Sequence, residues 1–183
     1  MKAIFFTTAV LFAISLTAQT DLEKLSNSPR HMEWVEVKNG ERTVHSFVVY
    51  PEVSAKAKVV IVIHENRGLN DWARVFTDEL AEKGFIAIAP DLLSETNDTI
   101  KKTSDFPDPD KAREALSKLN PDQITTDLNA VFEYAKTIAA GTGEVSVVGF
   151  CWGGSQSFRY ATNNPNLKEA IVFYGTAPQD EEA

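Results

Sequence analysis

The chain has 183 residues, 43% of them apolar, enough for one globular domain with a sizeable core. Its formal charge of −8 argues against nucleic acid and anionic membrane surfaces as partners, because both are met by clustered Lys and Arg. No internal repeat and no low-complexity tract interrupts it.

In chain order, Lys2 comes first, followed by an apolar run from Ala3 to Ala18 that is broken by Thr7, Thr8, Ser15 and Thr17. One positive charge, a short apolar centre and small residues near its end describe a secretory signal peptide over residues 1–20. The run is short for a membrane span. The expectation is export to the periplasm or the extracellular space, no membrane attachment after cleavage, and a mature domain over residues 21–183. Export gives weight to Cys151, the only cysteine. It can form no internal disulfide, so it pairs with another molecule, serves as a reactive group, or is buried and inert.

Asp21 to Arg30 reads as a polar linker. Trp34–Val37 and Val44–Tyr50 read as two strands of a hairpin, turning at Lys38-Asn39-Gly40-Glu41-Arg42. Lys58–His64 carries a continuous β-branched run, which suits a strand buried on both faces of a parallel sheet. A helix follows, capped by Asn70, with Trp72, Val75, Phe76 and Leu80 as its apolar stripe and Gly84 at its end. Phe85–Ala89 is the next buried strand, ended by Pro90. Asp91–Asp110 reads as an exposed loop and Lys111–Leu119 as a short helix. Asn120 and Pro121 open a longer helix, with Ile124, Leu128, Val131, Phe132 and Ile138 on one face, which Gly141 and Gly143 break. Val145–Gly149 is a strand, Trp152–Asn163 a helix and Ala170–Tyr174 a strand. Buried strands alternating with helices mean an α/β fold with a mainly parallel sheet and helices on both faces.

The chemistry concentrates where the Val145–Gly149 strand runs straight into a helix through Gly149-Phe150-Cys151-Trp152-Gly153. A Gly-x-Cys-x-Gly turn in that position is a nucleophile elbow with cysteine in place of serine. A nucleophile on a sharp, strained turn needs neighbours with almost no side chain. The helix start then points its positive end at the thiol, and the Trp152 N–H is placed as an oxyanion donor. The bland alternative is a cysteine that merely packs.

His64-Glu65-Asn66-Arg67-Gly68-Leu69 ends the first buried strand, where ligands bind in open α/β sheets. The loop there supplies the second oxyanion donor in an α/β-hydrolase, here the Asn66 N–H. Glu65 can reach the site, with His64 and Arg67 as substrate-binding or supporting residues. Equally, Glu65 and Arg67 could pair with each other, and His64 could be a satisfied strand-end histidine.

These pieces, with Ala89-Pro90-Asp91-Leu92, Gly154 and Phe173-Tyr174-Gly175, resemble the dienelactone hydrolase family from about Val35 to Gly175, its exported members above all. The resemblance implies an α/β-hydrolase fold and hydrolysis of a small-molecule lactone or ester by a Cys-His-Asp triad. It also implies that Glu65 contacts the resting thiol and helps deprotonate it, and that no metal or organic cofactor takes part. Two departures stand out. The family's substrate-binding arginine after Pro-Asp-Leu has no counterpart in Leu93-Ser94-Glu95, so the eponymous dienelactone is not the expected substrate. The triad's acid and histidine should follow the nucleophile, yet no histidine follows Cys151 and Asp180 is the one late aspartate. The expectation is therefore a C-terminally incomplete copy of the domain, with its last strand exposed and its solubility poor. The rivals are a degenerate, non-catalytic hydrolase fold that binds a small ligand, and a redox-active thiol, which lacks a resolving cysteine.

Overall fold

Among the described residues the strands line up in one six-stranded sheet of order β1-β2-β4-β3-β5-β6, whose last strand is largely exposed. The hairpin strands β1 (Met32–Asn39) and β2 (Arg42–Val49) are antiparallel, and β2 pairs antiparallel with β4 (Ile86–Pro90). From there β4, β3 (Ala57–Ile63), β5 (Gly141–Phe150) and β6 (Ala170–Phe173) run parallel. The structure is a computed structural model that describes residues 19–177. The signal peptide expected over residues 1–20 lies outside these but for its last two residues, and so does Asp180.

Five helices flank the sheet among the described residues: α1 (Asp21–Asn27), α2 (Asp71–Glu82), α3 (Pro109–Leu116), α4 (Pro121–Thr137) and α5 (Trp152–Asn163). Side chains alternate along a strand, so β3 serves both layers. Val59, Ile61 and Ile63 enter one core with α4 and with Tyr160 of α5, while Val60 and Val62 enter the other with α2 and Leu25 of α1. None of these helices is long and apolar enough to cross a membrane.

Four details depart from the sequence expectation. The linker begins as α1, capped by a reciprocal pair in which Thr20 Oγ1 takes the Glu23 N–H and Glu23 takes the Thr20 N–H. The Asp91–Asp110 segment is not exposed throughout, because Asp91, Leu92, Leu93 and Ser94 are buried. Gly141 does not break into a loop; it starts β5 and pairs with Ala57. On α2 the buried stripe is rotated to Ala73, Val75, Thr77, Asp78 and Ala81, which leaves Trp72 at the surface.

Asp78 explains how the N-terminal segment is held. Its carboxylate accepts two bonds from the Arg30 guanidinium, each 2.6 Å, and one of 2.8 Å from Ser28 Oγ. Both members of the ion pair are largely buried. Asp78→Ala leaves the guanidinium without its partner and is expected to cost about 3 kcal/mol, read as a lower urea midpoint. Arg30→Ala added to it should recover part of that loss.

Candidate active site

β3 and β5 are neighbours and parallel, so the loops after Ile63 and Phe150 leave the sheet at the same edge. No linker separates β5 from α5: Phe150 ends one, Trp152 begins the other, and Cys151 turns the corner at φ 54° and ψ −117°. That is a strained conformation for a residue with a side chain, and it lifts the half-buried thiol off the sheet. The Cys151 N–H donates 3.0 Å to the Phe173 carbonyl, which ties the corner to β6.

The glycines make this close approach possible. A methyl group on Gly153 would collide with the carbonyls of Ile63 and His64, and one on Gly149 would collide with the Gly153 carbonyl. A methyl on Gly154 would sit 2.6 Å from the Phe173 carbonyl oxygen. The helix therefore lies directly on backbone from three strands. The N–H groups of Trp152 and Asn66 donate no hydrogen bond to any described residue, which leaves both free for a ligand oxygen.

His64 is completely buried and both ring nitrogens are committed. Nδ1–H donates 2.8 Å to the Glu65 carbonyl, and Nε2 accepts the Leu92 N–H at 3.3 Å. This bonding selects the neutral Nδ1–H tautomer. Burial pushes the imidazole pKa below its usual value, and the nearby Asp91 carboxylate opposes that only in part. The ring stacks on Trp152, centroids 5.5 Å apart and planes 9° from parallel. One imidazole thus joins the loop after β3, the loop after β4 and the elbow. In this structure it has the bonding of a satisfied strand-end histidine, with no exposed surface.

Glu65 is half-buried, and its Oε1 accepts 2.9 Å from the Tyr174 hydroxyl. Among the described residues it forms no ion pair with Arg67 and no hydrogen bond with Cys151. Tyr174 has φ 40°, is largely exposed, and its phenol is held above the usual pKa by the Glu65 hydrogen bond, with a Cys151 thiolate pushing the same way. It is the site residue that the sequence reading did not single out, although Phe173-Tyr174-Gly175 was among the matching pieces. Arg67 is exposed and has no ion pair or hydrogen-bond partner for its side chain among the described residues. Leu93 and Ser94 point inward, and the Glu95 carboxylate accepts the Thr43 N–H at 2.8 Å, so this segment sends no side chain to the site.

The other histidines are distant. His45 lies on β2, three strand spacings or ~14 Å from β5. His31 precedes β1 and packs on Tyr50. No group of three or more His, Cys, Asp or Glu suited to a metal occurs among the described residues. The arrangement thus offers a raised thiol at a helix start, two free N–H groups and a carboxylate with a phenol beside it.

The chain matches the dienelactone hydrolase family over residues 44–183. It is 34% identical over 124 residues to a candidate carboxymethylenebutenolidase of Escherichia coli strain K12, covering 67% of this chain and 44% of the relative. It is 30% identical to one from Saccharolobus solfataricus, covering 76% and 65%. The chain therefore spans less than half of the first relative's length and just under two thirds of the second's. A candidate dienelactone hydrolase from Klebsiella pneumoniae superposes with a TM-score of 0.71 at 25% identity, covering 82% of this chain and 62% of that one. A dienelactone hydrolase-like promiscuous phosphotriesterase from metagenomic libraries shares the fold at 22% identity, with a TM-score of 0.67 and coverage of 82% and 62%.

Proposed function

The chain belongs to the dienelactone hydrolase family, and from that premise we propose that it cleaves a small-molecule lactone or carboxylic ester with Cys151 as nucleophile. The observation that carries this reading is the positive φ of Cys151 at a strand-to-helix corner packed on glycine backbone. Such strain is retained where a nucleophile must be presented, and a cysteine that merely packs has no use for it.

Glu65 leaves Tyr174, takes the thiol proton and so creates the thiolate. The sulfur lone pair forms a bond to the carbonyl carbon, and the carbonyl π pair moves onto oxygen. The Trp152 and Asn66 N–H groups receive that oxyanion. Its collapse breaks the ester C–O bond, and the departing alkoxide takes the proton from Glu65, leaving a thioester on Cys151. Water must then cleave the thioester to regenerate the thiol. Lys2 and the apolar run to Ala18 support an exported location for this chemistry.

A second reading has its own observation. His64 is sealed in and His31 and His45 are remote, so the 183 residues place no histidine beside the thiol. On that reading the fold binds an ester without acylating on it. The test is the mass of the chain after brief exposure to an aryl acetate. One acetyl group, recovered on the Cys151 peptide and absent from Cys151→Ala, is the expected result. An unmodified chain, or acetyl groups only on lysines, would establish the binding-only reading.

A further inference from the structure

A cavity of about 640 Å³ opens at the carboxyl end of β4, bounded by α1, β1, the start of α2 and the segment from Lys102 to Pro109. Neither Cys151 nor Glu65 lines it. Its walls have aromatic surface to offer: Trp34 is 41% exposed, Trp72 is 37% exposed and Phe106 is half-buried. Part of the outer wall, Asp21 and Trp34, precedes residue 44, where the family match begins.

Who is already bonded decides what the cavity can take. Four lining carboxylates face three cations, so the formal count is no guide. All four carboxylates are engaged. Asp21 pairs with Lys24, Asp71 pairs with Arg74, and Asp108 accepts the Lys111 N–H at 2.8 Å. Asp91, 1% exposed, accepts from Thr103 N at 2.6 Å, Thr103 Oγ1 at 2.8 Å and Leu93 N at 3.1 Å. The cations divide differently. Arg74 has Asp71, whereas Arg67 has no partner among the described residues, and Lys102 Nζ rests 4.8 Å over the Trp34 ring with the Asp105 carboxylate in its field. Arg67 and Lys102 are thus the lining cations with no ion pair among the described residues, and Trp34, Trp72 and Phe106 each keep part of their ring surface exposed. That combination suits a flat ring carrying a negative group, since a guanidinium and an ammonium give strong charge-assisted hydrogen bonds to a carboxylate.

We propose that this cavity is a binding site for an aromatic carboxylic acid, its ring against Trp72 and Phe106 and its carboxylate on Arg67 and Lys102. The site is separate from the thiol and does not require the hydrolase reading. Trp72 is nonetheless common ground, because its ring edge meets Phe150, the residue before Cys151, at a centroid distance of 5.2 Å.

The experiment is calorimetric titration of the chain with benzoate, benzamide and acetate at constant ionic strength, with tryptophan emission followed in parallel. Benzoate is expected to bind saturably and to perturb the emission. Benzamide lacks the charge and acetate lacks the ring, and each should bind at least about tenfold more weakly. Arg67→Gln removes no fold contact and should weaken benzoate by about tenfold at an unchanged melting temperature. Cys151→Ala should bind benzoate as the parent does. If no acetyl adduct forms yet benzoate binding stands, the hydrolase reading fails and this one survives. Equal binding of benzoate and benzamide, an Arg67→Gln variant that binds as tightly as the parent, or loss of binding on alkylation of Cys151 would each overturn the proposal.

Discussion

Mixed with an excess of an aryl acetate, residues 21–183 are expected to release about one equivalent of phenol per chain quickly and then to slow by several powers of ten. The two phases ask different things of the site. Acylation needs a thiolate and an oxyanion hole, and Cys151, Glu65 and the free N–H groups of Trp152 and Asn66 can supply both. Deacylation needs a base to activate water, and histidine is the side chain whose pKa suits that task near neutrality. His64 is the histidine closest to the thiol in the fold, but it is 0% exposed and its Nε2 is occupied by the Leu92 N–H. Stopped-flow absorbance at the phenolate band would resolve the two phases. A linear trace with no burst, or one unchanged in Cys151→Ala, would refute the acylation step. Fast steady turnover would mean that a base other than a histidine serves the site.

Replacing His64 with alanine should cost about 2–4 kcal/mol, because it opens a cavity under Trp152 and leaves the buried Leu92 N–H without an acceptor. Acid should act on the same joint. An unfolded imidazole titrates near 6.5, while burial keeps that of folded His64 below this value. Between the two, the unfolded chain holds a proton that the folded chain does not. Stability therefore falls as pH drops below about 6.5 and levels off once the folded imidazole is itself protonated. Protonation at Nε2 would also set an N–H against the Leu92 N–H. The charged groups nearby are Asp91, which favours the imidazolium, and Glu65, whose carbonyl already takes Nδ1–H. Urea unfolding of the parent and of His64→Ala across the acid range isolates the effect. A parent with the same pH slope as the variant would show that other groups carry it.

The elbow was the most legible part of the chain. Gly149, Gly153 and a β-branched run leave little choice but a strand turning into a helix, and α5 spans the residues expected, Trp152–Asn163. The fold class followed from the same runs. What stayed hidden depends on contacts between distant segments. α1 is seven residues long and is fixed by Leu25 on the core and by the neighbouring Arg30–Asp78 pair, with only Thr20 and Glu23 as a local signal. Leu92 and Leu93 are apolar, but polar residues and prolines downstream mask their burial. Tyr174 reaches Glu65 across 109 positions of sequence, a partnership no local pattern announces. The rotation of the α2 stripe is of the same kind: Trp72 is apolar, yet it stays at the surface over Phe150.

The junction at His64 has a consequence for how the protein comes into being. Its three partners come from separate stretches, Glu65 beside it, Leu92 after β4 and Trp152 at the head of α5, and β3 cannot meet β5 until the chain between them has crossed over the sheet. Pairings of that kind form late, after long loops have closed. In chain order the glutamate loop comes before the elbow, and β6, which ties the elbow down, comes after it. The thiol corner is therefore complete only once β6 has joined β5, because the Phe173 carbonyl takes the Cys151 N–H.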